Sequence, residues 1–292
     1  MCSQTQSPLF GVIPAEIRNE IFWLALQEFD NPETLYPRET YYTRPGQMGP
    51  KRIEVALLRT CKRVYEETKV IPLSNTVACI YLGSQMRAPK DYIRVGEVFE
   101  LHHIRRFRAQ YWSALKHVHI LAQLYALNAQ NIHHVFLQNH LRPAISPSTV
   151  TITIRYTDWW YWEQNTAHQL TVHEVVEWGR MLFPDSVTEI VLELETIETK
   201  VKEVDAIVAM ITRTPHQWAF GRRDGIRMLP SLKKGVKEWK WQGPTTFGER
   251  SRVSRDHIIY PHHPKGDTMG YVVKALTWVP EALTRGGPSS GE

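Results

Sequence analysis

A chain of 292 residues is long enough for one large core or for a small module joined to a bigger one. Its 42% hydrophobic and 22% charged residues exclude wholesale disorder, and no apolar run approaches the ~20 residues needed to cross a bilayer. A formal charge of +5 suits an acidic partner but does not demand one.

Met1 to Phe10 has no basic residue ahead of an apolar block, so no secretory or transit segment is expected. The three cysteines, Cys2, Cys61 and Cys79, are too few for a disulfide framework, and no Asn-X-Ser/Thr sequon occurs. A cytoplasmic or nuclear location is therefore expected. The first helix should open at Pro14, whose missing N–H costs nothing in a first turn. Ile17, Ile21 and Leu24 then recur in steps of four and three, an apolar stripe broadened by Phe22, Trp23 and Leu26. Pro32 limits it. Asp30 to Arg52 reads as a loop, punctuated by Pro32, Pro37, Pro45, Gly46, Gly49 and Pro50. A second helix is predicted over Ile53 to Val70, with Leu57, Cys61, Val64 and Thr68 on one face. Pro72 should stop it, Ser74-Asn75 turn the chain, and Thr76 to Tyr81 run as a strand.

Further strands are predicted at Lys116–Leu121, Val150–Tyr156, Glu189–Glu195, Glu238–Trp241 and Tyr271–Trp278. Helices are predicted at Val98–Trp112, Leu124–Asn139, Val172–Leu182 and Lys200–Thr212. Strands separated by helices imply crossovers and a mainly parallel sheet. No fixed repeat period is present. From Gly286 the residues read as a disordered tail.

The stretch Ile13-Pro14-Ala15-Glu16-Ile17-Arg18-Asn19-Glu20-Ile21-Phe22 resembles the opening helix of an F-box. The stretch from Ala56 to Glu67 resembles the second helix of the F-box-like modules of filamentous fungi. The resemblance covers about the first quarter of the chain. It implies an F-box-like helical pair over residues 1–74, with the Pro/Gly-rich insertion 30–52, ahead of an irregular α/β or α+β body over 75–285 and the tail 286–292. It also implies a protein–protein adaptor: Ile13, Pro14, Ile17, Ile21 and Leu24 would dock a Skp-type adaptor of a cullin ubiquitin ligase, while the following domain captures a target. The insertion is longer than the connection an F-box uses.

Four adjacent rings, Trp159-Trp160-Tyr161-Trp162, cannot all point inward from one element. They form either a bulky loop packed over the sheet or a target-binding surface built on Trp159, Trp160 and Trp162. Gly221 to Lys240 interleaves basic residues with Trp239, which suits either a guarded sheet edge or phosphate contacts. Of the 13 histidines, only His117 and His119 should share a face, adjacent pairs pointing apart, so no metal site is expected. Glu193 and Glu195 read as the polar side of a half-buried strand. No catalytic motif is present, and neither enzymatic activity nor a cofactor is expected. Three readings stay open: a ligase adaptor, an interaction protein with an F-box-like fold and no ligase role, and a nucleic-acid binder.

Overall fold

The computed structural model describes residues 7–95, 98–101, 113–136, 145–170, 177–248 and 260–284. Short helices α1 (Pro8–Gly11) and α2 (Ala15–Ala25) come first. Strands β1 (Glu28–Asp30) and β2 (Lys51–Ile53) pair antiparallel and pinch the base of the Pro/Gly-rich insertion, so the stretch expected to be loop is closed by a ribbon. The helix expected over 53–70 is cut in two. A 3-10 turn covers Ala56–Arg59, and Cys61 is extended (φ −160°, ψ 162°), with its Sγ accepting the Val64 N–H at 3.4 Å to start α3 (Lys62–Thr68). Pro72 opens a further helix, α4 (Ile71–Asn75), where a first-turn proline loses no hydrogen bond. The described N-terminal residues thus form four short helices, α1 to α4, in place of the expected helical pair.

The body is built on β3 (Val77–Leu82), β4 (Tyr92–Val95), β5 (Val98–Leu101), β6 (His117–Ala122), β7 (Thr149–Ile154), β8 (Leu182–Phe183) and β9 (Glu189–Ile197). It is completed by β10 (Phe220–Arg222), β11 (Arg227–Pro230), β12 (Lys237–Pro244) and β13 (Thr268–Pro280). Among the described residues these make one curled sheet in the order β4-β5-β3-β6-β7-β9-β13-β11-β10-β8, with β12 also on β13. Strands β3, β6, β7 and β9 run parallel, as expected. The whole sheet is mixed, which corrects the mainly parallel expectation. Strands β4 and β5, like β10 and β11, are joined by connections too short for a crossover and must reverse, and β13 enters antiparallel to β9, β11 and β12. Residues 98–101, expected as helix, are strand; the rest of that expected helix, 102–112, lies outside the described residues.

Alternation sets one face of the sheet. Ile80, Ile120, Ile152, Leu192 and Leu276 stand in register, flanked by Ala78, Val118, Val150 and Ile190, all buried. On this face lies α6 (Val201–Arg213): its Asp205 pairs with Lys274 of β13, and Val204, Ile207 and Ile211 enter the core. Helix α5 (Ala129–Phe136) adds Ile132, Val135 and Phe136, and α7 (Glu281–Thr284) follows β13. Each such side chain contributes about 1.5–3 kcal/mol relative to exposure. Of the helix expected over 124–139 the described residues form a 3-10 turn and α5, and of that expected over 172–182 they are helical over 177–180 before β8; residues 137–139 and 172–176 lie outside the described residues. No helix among the described residues is long and apolar enough to cross a membrane.

Candidate functional site

The N-terminal helix turns its most apolar stripe outward. Along α2 the buried positions are Arg18 and Phe22, followed by Leu26 at the helix end, whereas Ile17, Ile21 and Leu24 are 56%, 42% and 55% exposed. Ile13 is half-buried and Pro14 exposed. Trp23 widens the outward patch. A polar clamp holds the inward face. The Arg18 guanidinium donates to Glu67 of α3 at 3.0 Å and to the Ile13 carbonyl at 3.1 Å, and it lies 5.0 Å from the Phe10 ring. Asn75 of α4 donates to the Trp23 carbonyl at 3.1 Å. Beside the inward Phe22 and Leu26 the helix thus buries an arginine and leaves three branched aliphatics outside.

The insertion folds down onto the opposite face of the sheet. Tyr36 and Tyr42 pack there against Cys79, Tyr81 and Leu121, and the buried Arg44 reaches Glu193 at 3.4 Å and Glu195 at 3.5 Å. Gln47 meets His119 Nδ1 at 3.2 Å. His117 and His119, which share a face as expected, pair with Thr151 at 2.8 Å and Thr153 at 2.7 Å. Thr153 donates to Glu193 at 2.6 Å, and Trp241 Nε1 donates to Glu195 at 3.3 Å. Burial pushes the Glu195 carboxyl above the usual carboxylate range against the pull of Arg44, and burial holds His119 well below the usual imidazole range. The two glutamates are therefore not the solvated side of a half-buried strand; they are covered by a segment 149 residues away, a partner no local pattern discloses. Arg44 bridges the two carboxylates, of which Glu195 is buried and Glu193 mostly covered.

The four-ring run divides. Trp159 and Trp162 are 3% and 2% exposed and belong to the core, whereas Trp160 is 41% exposed and Tyr161, in the left-handed region at φ 51°, is 60% exposed. Trp159 stacks on His168 and donates to the Glu195 carbonyl at 2.9 Å. Trp162 packs against Tyr41 of the insertion, Phe247 and Tyr260. This corrects the placement of Trp159 and Trp162 on a target-binding surface, because His168 covers the first ring and Tyr41, Phe247 and Tyr260 enclose the second. Only Trp160 of the three candidates stands outside.

Three cations of the basic stretch pair within the chain. Arg222 pairs with Asp224, Lys234 with Glu189, and Arg227 with Glu281. Lys274 of β13 bridges Asp205 and Glu238, the latter on the stretch itself. Trp239 is partly exposed on β12. One adjacent histidine pair breaks the expectation that neighbours point apart. His262 and His263 lie in a turn, and both reach the Tyr156 hydroxyl, at 3.0 and 2.9 Å. Among the described residues no three His, Cys, Asp or Glu side chains form a metal-holding group. Compared with known proteins, the chain matches no family model, no curated protein and no solved structure.

Proposed function

We propose that this chain is a non-enzymatic protein–protein adaptor that docks a Skp-type partner through the outward face of α2, as the substrate receptor of a cullin-type ubiquitin ligase. One observation carries the reading: Ile17, Ile21 and Leu24 are exposed while Arg18 is buried beneath them. A helix serving only its own core would do the reverse. The insertion supports the same reading, because its ties run to Glu193, Glu195 and Cys79 of the sheet. Trp160 is the surface ring on which a target would rest. A cytoplasmic or nuclear location belongs to this proposal, with no cofactor required.

The division of the expected second helix into a 3-10 turn, α3 and α4 favours a second reading, in which the same stripe holds another protein and no ligase is assembled. One experiment separates the two. The natural chain and Ile17→Asp/Ile21→Asp are tested in a pull-down with purified Skp-type adaptor. Both side chains are exposed, so the variant should unfold within about 0.5 kcal/mol of the natural chain. Capture by the natural chain, lost in the folded variant, supports ligase assembly. Absence of capture by the natural chain refutes it in favour of the second reading.

A further inference from the structure

Along a strand or a helix, adjacent side chains diverge. His262 and His263 escape that constraint because they sit in a turn, and their rings lie 4.5 Å apart at 77°. Both Nε2 atoms address one phenol oxygen, that of Tyr156, which stands 106 and 107 residues earlier, just beyond β7. Three donor atoms from two distant segments therefore converge, which is what a metal centre needs and what sequence spacing alone did not reveal.

Two further features fit this use. His263 Nδ1 lies 2.5 Å from the Thr245 carbonyl, so Nδ1 carries the proton and the Nε2 lone pair is left facing Tyr156. A backbone carbonyl on the far nitrogen is the usual outer support of a ligating imidazole. The Tyr156 ring is walled by Trp162, His168 and Tyr271 at centroid distances of 5.5, 5.9 and 6.2 Å, which fixes the direction of its hydroxyl. The two histidines are only partly buried, so solvent reaches the open side.

We propose that Tyr156 Oη, His262 Nε2 and His263 Nε2 form a site for a divalent transition-metal ion, zinc or copper, with solvent completing the coordination. Nitrogen and phenolate donors suit these ions and not magnesium or calcium. Tetrahedral ligation at 2.0–2.2 Å places donor atoms about 3.3 Å apart and the ion about 35° off each N···O line, so each histidine must retreat from the phenol by about 0.3–0.4 Å and turn its ring towards the ion. A turn bounded by exposed Pro261 and Pro264 can supply that movement. On binding, the phenol proton leaves to solvent and the His262 proton passes from Nε2 to Nδ1, so one proton is released per ion. Lys200, a cation whose charge reaches His262, is itself held by Glu203 at 3.4 Å and by the Thr166 carbonyl at 2.7 Å.

The test titrates the full chain, stripped with a chelator, with zinc chloride in a calorimeter. The expected result is one saturable equivalent of micromolar or tighter affinity, with one proton released, read from the heats in buffers of different ionisation enthalpy. His262→Ala and Tyr156→Phe should each weaken binding at least tenfold, and His133→Ala/His134→Ala should leave it unchanged. Copper chloride should add a phenolate-to-copper absorption band that Tyr156→Phe abolishes. Tyr156→Phe keeps the packed ring and His262 is half-exposed, so both variants should fold, which circular dichroism checks. Failure of the folded natural chain to bind zinc saturably, or undiminished affinity in His262→Ala, overturns the proposal.

Discussion

Replacing Arg44 with methionine removes the cation between two carboxylates that its own segment seals from water. Glu193 and Glu195 lie two residues apart on one strand face, a separation of about 7 Å, at which two like charges repel by about 2.4 kcal/mol at an effective dielectric of 20. Arg44 and Glu195 are 5% and 4% exposed and Glu193 13%, so water compensates only part of the loss. Removing one member of a buried ion pair costs about 3–5 kcal/mol, and the repulsion worked above is a large part of that. The sign with pH follows from Glu195. Its folded pKa already lies above the usual carboxylate range because of burial, and without Arg44 it rises further. A raised carboxyl contributes stability that is present below its unfolded pKa and is lost as pH rises through the folded value. The gap between variant and natural chain should therefore be widest near neutrality and narrow towards pH 4.5. Urea unfolding at pH 7.5 and pH 5 measures both, and Arg44→Met/Glu193→Gln/Glu195→Gln should regain most of the loss. A deficit below about 1 kcal/mol at pH 7.5, or one that does not shrink at pH 5, would refute the argument that these charges depend on Arg44.

The aromatic run gives a paired prediction: Trp162→Ala should cost about 3–5 kcal/mol and Trp160→Ala about 0.5 kcal/mol or less, compared by urea midpoint, because only the first leaves a cavity. His168 is buried against Trp159, and burial with the Lys200 charge lowers its pKa from 6.5 to about 3. A depressed imidazole contributes stability that is present above 6.5 and lost as pH falls through the folded value. Unfolding midpoints should therefore decline between pH 6.5 and 3, and His168→Phe should flatten that decline if the ring is accommodated.

The elements that could be read in the sequence were those carrying a strong period. In sequence β7 and most of β9 alternate polar with apolar residues, β3 and β13 are apolar runs of strand-forming residues buried on both faces, and α6 repeats Val204, Ile207 and Ile211 on one side. Short strands escaped because three or four residues, such as Arg227–Pro230, carry no period. The break at Cys61 escaped because Leu57, Cys61 and Val64 keep helical spacing across it. In α2 the spacing located the stripe, and only tertiary contact through Arg18 and Glu67 decided which way it faces. The Arg44 network and the Tyr156–histidine cluster rest on partners about 150 and 106 residues apart, beyond any local signal.

Strand β13 has a consequence for how the chain is made. It is the last strand of the described residues, yet it lies between β9 on one side and β11 and β12 on the other. During synthesis, every earlier strand emerges before the one that joins the two halves of the sheet. Until then β9, whose Ile190, Leu192 and Leu194 later sit in the core, presents an unpaired apolar edge. The nascent chain thus passes through a stage in which two partial sheets wait side by side, the condition under which chaperone capture competes with misassembly.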